Sequence, residues 1–140
     1  MDQKIKQIIK EFEMFNDWQD KYSYIIDMGK KLPKLDESLK IDANKVSGCV
    51  SQVWLVSEKR GDRYYFSADS DAVIVRGLLA IILRVFSGCT KEQISHNNFQ
   101  ELFDSLDLGN NLSPNRSNGV FAVISKIIVC LSDMKGWLEC

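Results

Sequence analysis

The feature that most constrains the fold is a long apolar run, "AVIVRGLLAIILRVFSG", at residues 72–88. Its apolar side chains cover nearly the whole circumference of a helix, so other elements must surround that helix. Asp69 and Asp71 precede the run as helix-capping acids, and Gly88 is placed to end it. The run therefore predicts a central buried helix on which the rest of the chain packs.

A β-hairpin is predicted directly before this helix. The segments "QVWLVSE" (52–58) and "RYYFSAD" (63–69) are rich in β-branched and aromatic residues and alternate in polarity. Gly61 falls between them, where a tight turn needs a permissive residue.

Two helices are predicted at the start of the chain. Residues 3–15 carry apolar side chains at the spacing of one helical face. A second helix follows Asp17, a plausible N-cap, and stops at Pro33. The polar stretch from Pro33 to Asn44 predicts a connection.

Three more helices are predicted after the central one. Thr90 and Gln93 form a capping-box pattern for a short helix, and "NNFQELFDSL" (97–106) predicts another that ends near Gly109. The pair Ser113–Pro114 is typical of a helix start and precedes a long C-terminal helix.

This order of elements predicts an α+β fold, in which a small antiparallel sheet carries helices packed on one face. The length of 140 residues predicts a single domain over residues 1–140. Lysine plus arginine total 18 against 19 acidic residues, a balance that favours neither a nucleic-acid partner nor an anionic membrane. The start, "MDQKIKQIIKEF", lacks the apolar core of a signal peptide, so a cytoplasmic protein is expected.

The four cysteines and one histidine are too scattered for a metal site, and we expect free thiols in a reducing compartment. Cys130 falls on the apolar face of the last helix and is predicted to be buried. Cys89 follows a helix end and is predicted to be partly exposed. Cys140 is the last residue, and His96 is predicted to lie on the surface.

Cys49 differs from the other cysteines because it lies in neither a helical nor a strand pattern, beside Gly48. A hydrolase would need a base next to this thiol, which the sequence does not provide. Thiol–disulfide-type exchange needs only a thiolate, a sulfur electrophile and access, and Lys45 or Arg116 could favour the thiolate. A buried loop thiol without a function stays an alternative.

Three blocks of the sequence, "SGCVSQVW" (47–54), "DSDAVIVRGLLA" (69–80) and "LSPNRSNG" (112–119), resemble the signature blocks of the SufE family. The segment "WQDKYSYIIDMGKKLP" (18–33) is similar to the second helix of that family. The resemblance covers essentially the whole chain in order. It implies a fold like that of SufE and IscU proteins.

The resemblance also implies a function. Cys49 would accept persulfide sulfur from a cysteine desulfurase, SufS-type or a paralogue, stimulate that enzyme, and pass the sulfur to a SUF-type scaffold for iron–sulfur cluster assembly. Pyridoxal phosphate would belong to the desulfurase, and this chain would hold no cofactor or metal. It would be a carrier and activator rather than a stand-alone enzyme, and a homodimer is left open.

Several other positions in the matched blocks are candidates for loop support or partner contact. Asp69 and Asp71 also have the capping role given above, and core packing is an alternative for the residues next to Cys49. We also expect the Cys49 loop to rest with its sulfur against apolar groups and to swing outward on meeting the desulfurase. The candidates are Gly48, Ser51, Gln52, Trp54, Asp69, Asp71 and Arg116.

Two other classes of function remain to be distinguished from a sulfur carrier. A cluster scaffold of the IscU type would need several clustered ligands, whereas Cys49 stands alone in the sequence. A non-catalytic interaction module would use the motif only to shape a surface.

Overall fold

The computed structural model describes residues 2–132 and shows an α+β fold, as the sequence predicts. Two short 3₁₀ turns, Glu37–Leu39 and Asp42–Asn44, lie in the connection predicted after the second helix. In chain order, the helices and strands are α1 (Asp2–Phe12), α2 (Trp18–Lys31), β1 (Val53–Arg60), β2 (Arg63–Ser70), α3 (Val73–Phe86), β3 (Cys89–Thr90), α4 (Lys91–Ser95), α5 (Phe99–Ser105), α6 (Leu108–Asn111) and α7 (Pro114–Ser132).

The sheet is antiparallel with the strand order β1-β2-β3. The predicted hairpin pairs Val53 with Ser70 at one end and Arg60 with Arg63 at the other. Gly61 occupies the turn with a φ of 63°, in the left-handed region that favours glycine. The two-residue strand β3 escapes sequence analysis because its pairing with β2 is a long-range contact.

Helix α3 is the predicted central helix, and it packs against α2 and β2. Its side chains Leu79, Ile81 and Ile82 are almost completely buried. Helix α2 crosses so closely that a Cβ added at Gly77 would overlap the backbone of Ile25. The glycine therefore permits the contact that buries the apolar run.

The start of α3 differs from the prediction that Asp69 and Asp71 cap it. The helix begins at Val73 with Ala72 in the N-cap position, and no side chain caps it. Both carboxylates accept hydrogen bonds from other segments, where they satisfy backbone N–H groups that would otherwise lack a partner.

Local capping signals predicted the starts of α2, α4 and α7 correctly. The Asp17 carboxylate accepts a hydrogen bond from the N–H of Asp20 at the start of α2, and Thr90 with Gln93 forms the capping box of α4. At the start of α7, the hydroxyl of Ser113 accepts the N–H of Arg116 at 3.2 Å. The prediction near Gly109 is wrong in part, because α5 ends at Ser105 and a separate turn of helix, α6, contains the glycine.

An ion pair joins the first helix to the central one. The Arg84 guanidinium donates hydrogen bonds to both oxygens of the Glu11 carboxylate, and the hydroxyl of Tyr24 donates a further one at 2.8 Å. These bonds, with the one from Arg84 first, lower the pKa of Glu11 to about 2. The network ties α1, α2 and α3 together.

Two cysteine predictions need correction. Cys89 is 2% exposed rather than partly exposed, because it lies in β3, and its thiol donates to the carbonyl of Val85 at 3.4 Å. Cys130 is buried as predicted but is disulfide-bonded, whereas Cys49 and Cys89 are free thiols. The redox conditions of a cellular compartment do not indicate which cysteines the fold brings close together. Cys140 lies outside the described residues.

The remaining expectations concern the exposure of His96 and membrane-spanning helices. His96 is exposed at the end of α4, as predicted. Among residues 2–132, the structure contains no helix long and apolar enough to cross a bilayer. The expectation of a single domain stays a prediction.

Candidate functional site around Cys49

The candidate site is built around the loop of residues 46–52, called here the Cys49 loop. The N–H of Val46 donates to the carbonyl of Val53 at 2.9 Å and closes the base of the loop. At the tip, Gly48 has a φ of 87°, a conformation that L side chains rarely adopt. Gly48 therefore allows the sharp turn that presents Cys49.

Asp71 holds the C-terminal side of the Cys49 loop. Its carboxylate accepts the N–H of Gln52 at 3.0 Å, and its own N–H donates to the carbonyl of Gln52 at 3.3 Å. This two-way contact fixes the residue that leads from the loop into β1. The role of Asp71 in the structure is thus to restrain the loop.

The N-terminal side of the loop lies along helix α7. Lys126 donates to the carbonyl of Lys45 at 2.9 Å. A Cβ added at Gly48 would come within 3.4 Å of the Cβ of Ala122, and one at Gly119 within 3.6 Å of the Cys49 sulfur. Small residues on this face of α7 let the loop approach closely.

Burial controls the protonation of Cys49. The half-buried thiol donates a weak hydrogen bond to the carbonyl oxygen of Gly119, with a sulfur–oxygen distance of 3.7 Å. Burial raises the pKa of Cys49 above its ordinary value. The expectation that Lys45 or Arg116 favours the thiolate is wrong for this arrangement, because desolvation sets the direction of the shift.

A cavity of about 390 Å³ opens beside Cys49. Polar groups on its rim come from Ser51 and from Ser113, Asn115 and Arg116 at the start of α7. The walls of this Cys49 cavity are aliphatic and come from β1, α3 and α7. They include Val53, Val75, Leu78, Leu79, Ile82, Val120 and Val123.

Asp69 lies behind the site and does not line the cavity. Its carboxylate is 2% exposed, pairs with Arg76 and accepts the N–H groups of Leu35 and Ser70 at 3.1 and 2.8 Å. Burial acts to raise the pKa of Asp69, but the two hydrogen bonds and the Arg76 charge together lower it below its ordinary value. Asp69 therefore joins the connection after α2 to the end of β2.

The structure brings only some of the predicted site residues to the cavity. Cys49, Ser51 and Arg116 border the same cavity, whereas Gln52 takes part through its backbone. Trp54 is 9% exposed and lies under the ammonium group of Lys40, 5.5 Å from the ring centre, which supports core packing.

Sequence reasoning missed Gly119, Lys126 and Arg76 as supports of the site. Gly119 lies within a matched block, but its contact with Cys49 joins residues 70 positions apart. The position of Arg76 inside the apolar run could have indicated its role, because a charge within an apolar helix needs a buried partner. The position of Lys126 among apolar residues of α7 is a weaker indication of the same kind.

No group of three or more His, Cys, Asp or Glu side chains in the described part of the chain could hold a metal ion. What the site contains is one free thiol, an aliphatic cavity and a guanidinium at the rim. Such a site can carry out sulfur exchange, which requires a single thiol.

Comparison with known proteins agrees with this α+β architecture. The fold is similar to the solution structure of a hypothetical protein from Thermus thermophilus, with a TM-score of 0.75 at 14% identity over 92% of this chain and 93% of that one. A family model described as SufE, Fe-S metabolism associated domain, matches residues 6–129. The chain belongs to the SufE family.

Two curated relatives have high sequence similarity to the chain. An uncharacterized SufE-like protein of Rhizobium etli is 44% identical over 127 residues, which cover 88% of this chain and 86% of the relative. Another uncharacterized SufE-like protein, from Rhizobium meliloti, is 41% identical over 127 residues, 88% of this chain and 91% of the relative. The family resemblance seen in the three sequence blocks is thus confirmed, and with it a place in iron–sulfur metabolism.

Proposed function

We propose that this protein accepts sulfur from a pyridoxal-phosphate-dependent cysteine desulfurase onto Cys49 and passes it on for iron–sulfur cluster assembly. The observation that carries the proposal is a free thiol at the tip of a restrained loop, beside an open cavity. Membership of the SufE family supports the same chemistry. The cofactor belongs to the desulfurase, and this chain supplies the acceptor sulfur.

The transfer step needs no metal, water or histidine. The Cys49 thiolate attacks the outer sulfur of a persulfide on the desulfurase. A sulfur–sulfur bond forms at Cys49, the bond to the desulfurase cysteine breaks, and that cysteine leaves as a thiolate. The number of sulfur–sulfur bonds is unchanged, so no external oxidant or reductant is consumed.

The resting position of Cys49 opposes this attack. Only the thiolate is an effective nucleophile, whereas burial raises the pKa of Cys49 and so favours the thiol. The carbonyl of Gly119 can accept a hydrogen bond only from the protonated sulfur. Docking of the desulfurase therefore has to draw Cys49 out of this position, and exposure would lower its pKa.

Alkylation rates test this partner-triggered exposure. Cys49 should react with iodoacetamide faster when a catalytically inactive desulfurase variant is added. The buried Cys89 serves as an internal reference in the same chain. Equal Cys49 rates with and without the desulfurase would contradict the triggered movement.

The surrounding residues have separate proposed roles. Gly48, Gln52 and Asp71 restrain and shape the loop through the turn and the two-way contact described above. Asp69 supports this end of the sheet from behind. Ser51 lies on the rim beside Cys49, at the approach that the partner would use.

Arg116 is the proposed charged contact at the rim. The guanidinium makes no hydrogen bond or ion pair with residues 2–132, so it is available to an incoming anionic group. Its backbone is fixed at the first turn of α7 by Ser113.

Mass spectrometry after incubation with a cysteine desulfurase and free cysteine tests the function. We expect a mass gain of one sulfur atom at Cys49 in the natural protein and in Cys89→Ser, and no gain at position 49 in Cys49→Ser. Stimulation of the desulfurase should also be lost in Cys49→Ser. Full stimulation by that variant, or sulfur on a different cysteine, would overturn the carrier role.

We also propose a downstream acceptor and a cellular location. A SUF-type scaffold would receive the sulfur, and the protein would act in the cytoplasm. A homodimer is left open.

A further inference from the structure

The Cys49 cavity is much larger than the sulfur atom that the proposed function requires. Its volume of about 390 Å³ falls within the roughly 300–1,000 Å³ typical of small-molecule sites. A terminal persulfide sulfur is comparable in size to a water molecule, which occupies about 30 Å³ in the liquid. Most of the cavity thus remains available after the sulfur is accommodated.

The lining of the cavity indicates the chemistry of an occupant. Its walls carry aliphatic side chains from three elements, and the accessible apolar surface includes Val75 on α3 and Val50 in the loop. Such walls offer water few hydrogen bonds, whereas a hydrocarbon chain would gain contacts along its length.

The charge at the rim of the cavity is positive. Among the described residues that line the cavity, Arg116 is the charged one, and no acidic side chain lines it. A guanidinium without an ion-pair partner matches a carboxylate in geometry and charge. The amide of Asn115 offers a further donor on the same rim.

We propose that the Cys49 cavity binds a small aliphatic monocarboxylate, with its hydrocarbon chain between α3, α7 and β1 and its carboxylate at Arg116. The binding uses the same cavity and arginine as the sulfur-transfer proposal, but it requires neither sulfur transfer nor a desulfurase. Its consequence joins the two, because a bound chain occupies the open volume beside the Cys49 sulfur. A carboxylate ligand would then shield the thiol and slow its reactions.

Titration of the protein with straight-chain carboxylates, followed by NMR of the isoleucine, leucine and valine methyl groups, tests the binding. We expect octanoate to give saturable shifts of methyl groups that line the cavity, and acetate to give none. Each methylene added from butyrate onward should tighten binding about fourfold until the chain fills the cavity. Octylamine, with the same number of carbon atoms and the opposite charge, should bind at least about tenfold more weakly than octanoate.

The role of the guanidinium has a matched control. Arg116→Gln should weaken octanoate binding about tenfold, while Lys30→Gln, which makes the same charge change on the exposed end of α2, should leave it unchanged. Absence of saturable octanoate shifts would overturn the site. Equal binding of octanoate and octylamine, or an unchanged affinity in Arg116→Gln, would overturn the assignment of a carboxylate.

Alkylation of Cys49 tests where the chain lies. Saturating octanoate should slow the reaction of Cys49 with iodoacetamide severalfold, and acetate should not. An unchanged or faster rate would contradict the placement beside the sulfur. None of these measurements requires a desulfurase, so failure of the binding proposal is distinguishable from failure of the proposed function.

Discussion

Replacement of Asp71 by alanine should release the Cys49 loop. The change removes the carboxylate that accepts the N–H of Gln52 at 3.0 Å, while the backbone bond from residue 71 to the carbonyl of Gln52 remains. A hydrogen bond to a charged group contributes roughly 1.5–3 kcal/mol, and the exposure of Asp71 reduces this to about 1 kcal/mol. A loss of that size raises the population of the open loop about fivefold.

The rate of Cys49 alkylation at neutral pH measures this population. Opening increases the access to the sulfur and also lowers its raised pKa toward the ordinary value, so both effects increase the rate. We expect an increase of about fivefold in Asp71→Ala and about twofold in Asp71→Asn, since the amide oxygen of asparagine still accepts a neutral hydrogen bond.

Two controls separate loop release from other causes. Asp62→Ala removes an exposed acid from the hairpin turn and should leave the Cys49 rate unchanged. The buried Cys89 should keep its slow rate in every variant, since a parallel increase would indicate general unfolding. An Asp71→Ala rate equal to that of the natural protein would refute the argument that the carboxylate restrains the loop.

Three further predictions concern one support of the Cys49 loop and two contacts between helices. Lys126→Met removes the donor to the loop base and should speed Cys49 alkylation about fivefold, while Lys126→Arg should keep the natural rate. Gly77→Ala should lower the free energy of unfolding in urea by about 2 kcal/mol, because the added methyl overlaps the crossing helix at a cost of about 3 kcal/mol, which outweighs a helix-propensity gain of about 1 kcal/mol. Glu11→Gln should remove about 2 kcal/mol of the pH-dependent part of the free energy of unfolding. This value is smaller than the full equivalent of the pKa shift because the pair with Arg84 is partly exposed to solvent.

Each of these predictions has an outcome that would contradict it. Equal alkylation rates in Lys126→Met and Lys126→Arg would exclude the hydrogen bond as the restraint. Gly109→Ala is the control for Gly77→Ala, because its methyl would meet Phe103 at an ordinary 3.4 Å, so it should not destabilise the protein. A similar loss in both glycine variants would refute the argument from helix crossing.

The acid dependence of Glu11 follows from the direction of its pKa shift. The folded-state pKa is lowered to about 2 from 4.5, so the ion pair contributes fully above about pH 4.5 and its contribution is lost as pH falls toward 2. Urea unfolding of the natural protein should therefore lose more stability between pH 5 and 2 than that of Glu11→Gln. Parallel pH profiles would contradict the role of the pair.

The sequence by itself determined the elements whose signals are local. The apolar run predicted α3, the alternation around Gly61 predicted the hairpin, and the capping patterns at Asp17 and Thr90 marked two helix starts. These predictions hold because periodicity and capping depend on residues within a few positions of one another. The isolation of Cys49 from every periodic segment made it the candidate site for the same reason.

Only the tertiary structure decided how that candidate is held. Asp69 and Asp71 have sequence positions suited to helix caps, but they bond to Leu35 and Gln52, which the fold brings to them from far along the chain. The raised pKa of Cys49 likewise comes from burial against α7, about 70 residues away. Long-range packing sets solvation and hydrogen-bond partners, and a local sequence pattern contains neither.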